Sequence, residues 1–209
     1  MKLIYSPASP FVRKVAVYTH LGNLTDKITF TPVATTALNV ADDARSANPL
    51  GKIPALILDD NSTLFDSRVI CRYLDDLAGL GMYPADNIWK VLTLEALGDG
   101  MMESGVSISY EKRLRPENEQ SPSWIEAQWS KVEHAIASLE TGAYAELQGP
   151  LNAGQISVAC ALDYIDFRHG DRDWQSRHPK MAEWQAKTCI RFVQRKGQKD
   201  YLWFFRNKG

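Results

Sequence analysis

Apolar residues recur along the first third of the chain in two rhythms. Lys2-Leu3-Ile4-Tyr5 is a short apolar run that reads as a strand, followed by a loop with two prolines, Ser6-Pro7-Ala8-Ser9-Pro10. Val12, Val15, Ala16 and Thr19 then fall at three- and four-residue steps, which predicts a helix over 11–21. Gly22-Asn23 ends it in the manner of a C-cap. Residues 28–33 alternate, with Ile28, Phe30 and Pro32 against Thr29, Thr31 and Val33, and form a second strand. Asn48-Pro49-Leu50-Gly51 is turn chemistry, and residues 53–58 form a third strand. Asp59-Asp60-Asn61-Ser62 reads as a tight hairpin turn into Thr63-Leu64-Phe65. A helix opens at Asp66-Ser67 and runs to about Ala78, with Val69, Ile70, Tyr73, Leu74 and Leu77 on its apolar side. The order is βαβ, a linking segment, then ββα.

After Leu77-Ala78-Gly79-Leu80-Gly81-Met82-Tyr83-Pro84, whose glycines and proline punctuate a seam, the pattern turns helical. Residues 89–113 form a helix interrupted by Gly98, Gly100 and Gly105, which suggests close packing or a bend. Ile125, Trp129, Val132, Ile136 and Leu139 make an amphipathic seam over 123–139. Residues 156–167 are apolar nearly all round, a helix buried on most sides. Asn152 and Gln155 before it have the spacing of a capping box, Asn at N-cap and Gln at N3. The expected division is therefore 1–78, mixed strand and helix, and 86–209, all helical.

Composition sharpens this division. Residues 1–80 hold eight Asp and no Glu, whereas 95–146 hold nine Glu, and Glu suits helix interiors as Asp suits caps and turns. With 24 basic and 25 acidic residues the net charge is −1, so a bulk electrostatic case for nucleic acid or an anionic membrane is missing. The longest apolar run, 53–58, is too short to span a bilayer, and the N-terminal run is no secretory signal. Cys71, Cys160 and Cys189 are too few for a disulfide framework and lack metal-ligand spacing, so no metal is expected and a reducing cytoplasm is the default compartment.

Three short features in the first part carry candidate chemistry. Ser9-Pro10-Phe11 opens a helix, with Pro10 preset for its first turn and Ser9 at the positive helix end, its hydroxyl free to donate. Ser before Pro is also a good N-cap, and most such serines only cap. Lys52-Ile53-Pro54 starts a strand; if the Ile53–Pro54 bond is cis, the Ile53 backbone groups turn outward to pair with a peptide-like ligand, and otherwise Pro54 simply marks an edge. Phe65-Asp66-Ser67 stands where a strand ends and a helix begins. Its N–H groups and Ser67 hydroxyl suit a carboxylate and Asp66 suits an ammonium, or the pair only caps.

Together these residues resemble the glutathione S-transferase family. The resemblance covers the whole chain: the βαβ–ββα order, the Ser-Pro-Phe turn, Asn48-Pro49-Leu50-Gly51-Lys52-Ile53-Pro54, Asp66-Ser67 and a helical second half. An Asn-Pro-x-Gly-x-Val/Ile-Pro run followed about a dozen residues later by an acidic-Ser pair is specific to it. The resemblance implies a thioredoxin-like α/β N-terminal domain, an all-α C-terminal domain and usually a homodimer. It implies glutathione as co-substrate and an apolar small-molecule electrophile as second substrate, as in detoxification. Under it, Ser9 hydrogen-bonds the glutathione sulfur and Ile53, before Pro54, pairs with the cysteinyl unit. Asp66 and Ser67 hold the γ-glutamyl ammonium and carboxylate, and Lys52 lies beside the glycyl end.

Tyr5, at the end of the first strand, is a second candidate for the sulfur, because other members use a tyrosine hydroxyl near that place. Met101, Met102, Ser104, Gly105, Ser109 and Tyr110 lie on the helical segment that the resemblance turns toward the sulfur; they suit an adaptable apolar pocket, or ordinary helix packing. Many members have Asp where Gln155 stands, which predicts a weaker cap and an intact fold. Relatives with Cys in place of Ser9 exchange disulfides through a protein thiol. No C-x-x-C occurs here, and the three cysteines read as packed hydrophobes. The aromatic tail Tyr201-Leu202-Trp203-Phe204-Phe205 has three readings: pocket lid, dimer contact or core seal. The expected activity is conjugation of glutathione; glutathione-dependent reduction or dehalogenation, and a non-catalytic partner protein, are the alternatives.

Overall fold

The structure, a computed structural model, describes residues 1–194, and side chains through residue 188; the aromatic tail and the Cys189 side chain lie outside the described residues. The chain divides into two units, with Met1–Tyr83 in one and Pro84–Gln194 the other.

The first unit is built on a four-stranded sheet in the order β2-β1-β3-β4. The strands are β1 (Lys2–Tyr5), β2 (Thr29–Pro32), β3 (Ala55–Ile57) and β4 (Thr63–Leu64). β1 pairs in parallel with β2, Leu3 opposite Phe30, and antiparallel with β3, Leu3 opposite Leu56. β3 pairs antiparallel with β4 through the hairpin at 59–62, where Asn61 takes φ 65°. Consecutive strand residues face opposite sides, yet Leu3 and Ile4 are both buried, as are Ala55 and Leu56. Both faces of the sheet are therefore covered.

Helix α1 (Pro10–Leu21) packs against α3 (Ser67–Ala78), and α3 also packs on β3. Gly22 permits this approach: a Cβ there would sit 2.8 Å from the Ala78 Cβ. The other face is covered by α2 (Asp42–Ala47), whose Ala44 and Ala47 pack with Ile4 and Ala55. This helix lies in what the pattern reads as a linking segment. Its buried face consists of two alanines three residues apart, so no large apolar residue announces it. On α3 the expected apolar side is only partly buried. Ile70, Cys71 and Leu74 are inside, while Val69 and Leu77 are each 47% exposed.

The second unit consists of α4 (Ile88–Leu114), α5 (Pro122–Thr141), α6 (Ala153–His169), the short α7 (Trp174–Arg177) and α8 (Pro179–Gln194). The α5 seam behaves as its pattern predicts, with Ile125, Trp129, Val132, Ile136 and Leu139 all buried. Among the described residues α4 and α6 form the most extensive helix pair. A Cβ on Gly98 would meet the Ser157 carbonyl carbon at 2.6 Å and the Val158 nitrogen at 2.7 Å, so only glycine lets the two backbones approach. Asn152 caps α6, its Oδ1 accepting from the Gln155 N–H at 3.1 Å. The Gln155 side chain does not return to close the box. Its Nε2 instead donates to the carbonyls of Glu146 (3.2 Å) and Pro150 (3.1 Å). Those bonds need a donor, which an ionised Asp cannot supply.

Candidate active site

The sheet register brings the three chemical features of the first unit to one place. Ile4 stands opposite Ala55, so continuing the antiparallel register sets the end of β1 and the Ser6–Ser9 loop beside Ile53 and Pro54. Leu56 stands opposite Leu64, so the same continuation sets Phe65 and Asp66 beside Ala55 and Pro54. The last residues of β1, the first of β3 and the last of β4 therefore share one end of the sheet. Residues more than forty positions apart in the chain, such as Tyr5 and Pro54, become neighbours there.

Ser9 is the N-cap of α1, with extended backbone at φ −83° and ψ 125°. Its Oγ accepts from the Val12 N–H at 3.4 Å, and its own N–H donates to Ser6 O at 3.1 Å. Capping thus engages an oxygen lone pair and leaves the hydroxyl proton available to donate. Pro10, Val12, Val15 and Ala16 are buried and anchor the helix, which fixes where Ser9 stands. Tyr5 packs edge-on against Phe30, ring centroids 5.5 Å apart.

The Ile53–Pro54 peptide is cis, and the Ile53 N–H and C=O take no loop or turn hydrogen bond among the described residues. The Lys52 side chain is exposed. Asn48, which the sequence marks only as a turn residue, is buried and bonds this loop to itself: its Nδ2 donates to Lys52 O at 2.9 Å.

Asp66 caps α3, with Oδ1 accepting from Arg68 N–H at 3.0 Å and Oδ2 from Arg68 Nη2 at 3.2 Å. Partial burial pushes its carboxyl pKa up. The Arg68 hydrogen bond, its charge and the backbone N–H groups outweigh that and hold the pKa below the usual carboxylate value. Asp66 is thus kept anionic while half exposed. Ser67, in the first turn of α3, is 3% exposed.

In the second unit, Met101, Met102, Ser104, Gly105 and Ser109 are buried, and Tyr110 is 38% exposed. Gly105 lies under Tyr164 and Ile165. Ser109 Oγ donates to Gly105 O at 3.0 Å and accepts from Tyr164 Oη at 3.1 Å. His169 Nε2 reaches Gly105 O at 2.9 Å; a carbonyl can only accept, so Nε2 carries the proton. Helix packing therefore accounts directly for Gly105 and Ser109. The polar cluster of Ser109, Tyr164 and His169 is not legible from the sequence, because its members come from α4 and α6 at unrelated spacings. Among the described residues no group of three His, Cys, Asp or Glu is arranged to hold a metal ion, and no helix is long and apolar enough to cross a membrane.

Residues 8–77 match the family model of the glutathione S-transferase N-terminal domain, and residues 122–185 that of the glutathione S-transferase C-terminal domain. The chain belongs to the glutathione S-transferase family. It is 31% identical over 191 residues to the uncharacterized GST-like protein YibF of Escherichia coli strain K12, covering 88% of this chain and 91% of that protein. Among solved structures it is similar to a glutathione transferase family member of Pseudomonas fluorescens Pf-5 with bound glutathione, at 40% identity and TM-score 0.87, over 90% of this chain and 93% of that one. A glutathione S-transferase of Methylobacillus flagellatus KT, also with glutathione bound, is 33% identical at TM-score 0.77, over 89% of this chain and 93% of that one. The α/β unit with its mixed four-stranded sheet and the helical unit thus form the family's fold.

Proposed function

We propose that this glutathione S-transferase family member binds glutathione at the shared end of the sheet and presents its thiolate to an apolar electrophile. The observation that carries this reading is the convergence of Ser9, Ile53 and Asp66-Ser67 through the β1–β3–β4 register. The bound glutathione in the Pseudomonas and Methylobacillus relatives supports it.

Each role follows from the group available. Asp66, held anionic, accepts from the γ-glutamyl ammonium, and the first turn of α3 with Ser67 receives the α-carboxylate. The Ile53 backbone groups pair with the cysteinyl unit as a short added strand. Lys52, exposed beside them, lies toward the glycyl carboxylate. The Ser9 hydroxyl donates to the sulfur. A free thiol has a pKa of ~8.5, and a hydrogen bond to a charged group contributes ~1.5–3 kcal/mol. Such a bond therefore lowers the thiol pKa by about one to two units, and the α1 N-terminus acts in the same direction. Ser9 remains neutral and stabilises a charge borne by the ligand. The thiolate then attacks the electrophile, forming a carbon–sulfur bond as a leaving group departs or a double bond opens.

On α3, Val69, Tyr73 and Leu77 follow one another at four-residue steps and leave an apolar edge that pairing of two copies would cover. The buried thiols of Cys71 and Cys160, neither of them in a disulfide, suit a reducing cytoplasm. Glutathione-dependent reduction starts from the same bound thiolate and consumes a second glutathione, the two leaving as the disulfide, while in dehalogenation the thiolate displaces a halide ion.

Calorimetry with glutathione tests the reading. Binding below millimolar concentration is expected, and its absence would leave a non-catalytic partner protein. With ligand bound, the thiolate's ultraviolet absorbance gives an apparent pKa. Ser9→Ala should raise that pKa by about one to two units; an unchanged value moves the role to Tyr5 or to backbone donors.

A further inference from the structure

Asn48 ends α2, where its N–H donates to Ala44 O at 2.9 Å and its carbonyl accepts from Gly51 N–H at 2.7 Å. The residue is only 2% exposed, and its side chain acts in both directions. Oδ1 accepts from Leu50 N–H at 3.0 Å, and Nδ2 donates to Lys52 O at 2.9 Å. Gly51 completes the loop at φ 62°, and a Cβ there would meet Val40 Cγ1 at 2.5 Å. Four hydrogen bonds centred on one residue give 48–52 a single shape.

The bond to Lys52 O reaches the candidate site through the backbone. Lys52 C=O and Ile53 N–H belong to one peptide unit, and that unit is trans. In a planar trans peptide the C=O and N–H point in opposite directions. Holding the oxygen from the Asn48 side therefore turns the Ile53 N–H away from the loop. There it meets no loop or turn acceptor among the described residues. The geometry points to Asn48 as a positioning residue for glutathione: it aims the Ile53 N–H at the cysteinyl unit without touching the ligand. This inference rests on the glutathione-binding reading above. It also explains why an amide is needed. Asp has the same shape and keeps the acceptor for Leu50, but it sets a carboxylate oxygen against the Lys52 carbonyl and leaves the peptide unit unheld.

The test is calorimetry of wild type, Asn48→Asp and Ser9→Ala with glutathione and with S-methylglutathione, which has no thiol to ionise. Asn48→Asp should weaken both ligands equally, by about tenfold, while the apparent pKa of the bound thiol stays at its wild-type value. Ser9→Ala should move that pKa and leave S-methylglutathione binding unchanged. A folded Asn48→Asp protein with wild-type affinity for S-methylglutathione overturns the proposal. If that variant does not fold, the wild-type Ile53 amide resonance decides: it should shift on adding S-methylglutathione, and a resonance that stays in place overturns the proposal. Wild type that binds neither ligand at millimolar concentration overturns the glutathione reading itself, and this inference with it.

Discussion

The two units use their polar groups in opposite ways. At the sheet end of the first unit, polar groups are engaged on one side and open on the other. Ser9 accepts a capping bond and keeps its proton, Asp66 caps α3 while half exposed, and the Ile53 backbone groups are unclaimed by the loop. In the helical unit polar groups close on one another. Ser157 Oγ bonds Asp99 at 2.9 Å and Glu95 O at 3.0 Å, Tyr164 bonds Ser109, and His169 bonds Gly105 O. A buried polar group without a partner is costly, so these paired groups hold the helices in one arrangement, although His169 Nδ1 and Arg168 Nε are buried without a hydrogen-bond partner among the described residues. A surface with directed but unfilled bonds is organised to receive a ligand. The first unit leaves directed bonds open at the end of its sheet, and the second turns most of its bonds inward.

The contrast can be broken most forcefully in the second unit. Gly98→Ala should destabilise the helical unit by about 1–3 kcal/mol, because its Cβ collides with the α6 backbone. Chemical denaturation measures the loss, and the folded fraction should bind glutathione with unchanged affinity. A stability within error of wild type would mean that α4 and α6 are not packed as described. Next comes Asp66→Asn, which keeps an acceptor for the α3 cap but removes the charge that attracts an ammonium. Glutathione should bind about tenfold more weakly, with little change in melting temperature. A melting loss without an affinity loss would return Asp66 to a capping role alone.

The smallest effect is expected from His169. Burial, the leading cause, holds its pKa below the ordinary histidine value, although its hydrogen bond with Gly105 O acts in the opposite direction. The folded chain therefore takes up this proton at lower pH than the unfolded chain does. Stability is fully present above the unfolded value of ~6.5 and declines as pH falls toward the folded value. His169→Gln, which offers a neutral donor to the same carbonyl, should flatten the slope of stability between about pH 6.5 and 5. Urea unfolding across that range is the check, and an unaltered slope would remove His169 as its source.

Much of this architecture was legible before folding was considered. The start of α3 at Ser67 was readable because Asp66-Ser67 is a capping pair just after an apolar strand, and α5 because one apolar seam runs its length. α2 was not, since two alanines carry too little hydrophobicity to mark a helix face. The half-exposed Val69 and Leu77 were also unreadable, because periodicity places a residue on a face without saying what covers that face. Asn48 announced a turn, but its grip on Lys52 depends on the loop's folded path.

The sequence by itself determined which chemical groups are present and which backbone each prefers: a serine before proline, an asparagine-glycine turn, an acidic-serine helix start. Those are local properties, set by caps, turns and missing N–H groups within a few residues. Only the tertiary structure decided that they meet, because strand register, fixed by which apolar residues are buried on both sheet faces, brings the ends of β1 and β4 to the start of β3. It also decided that Gly105 and Ser109 serve a helix contact, since their partners Tyr164 and His169 are distant in the chain and near only when α4 packs on α6.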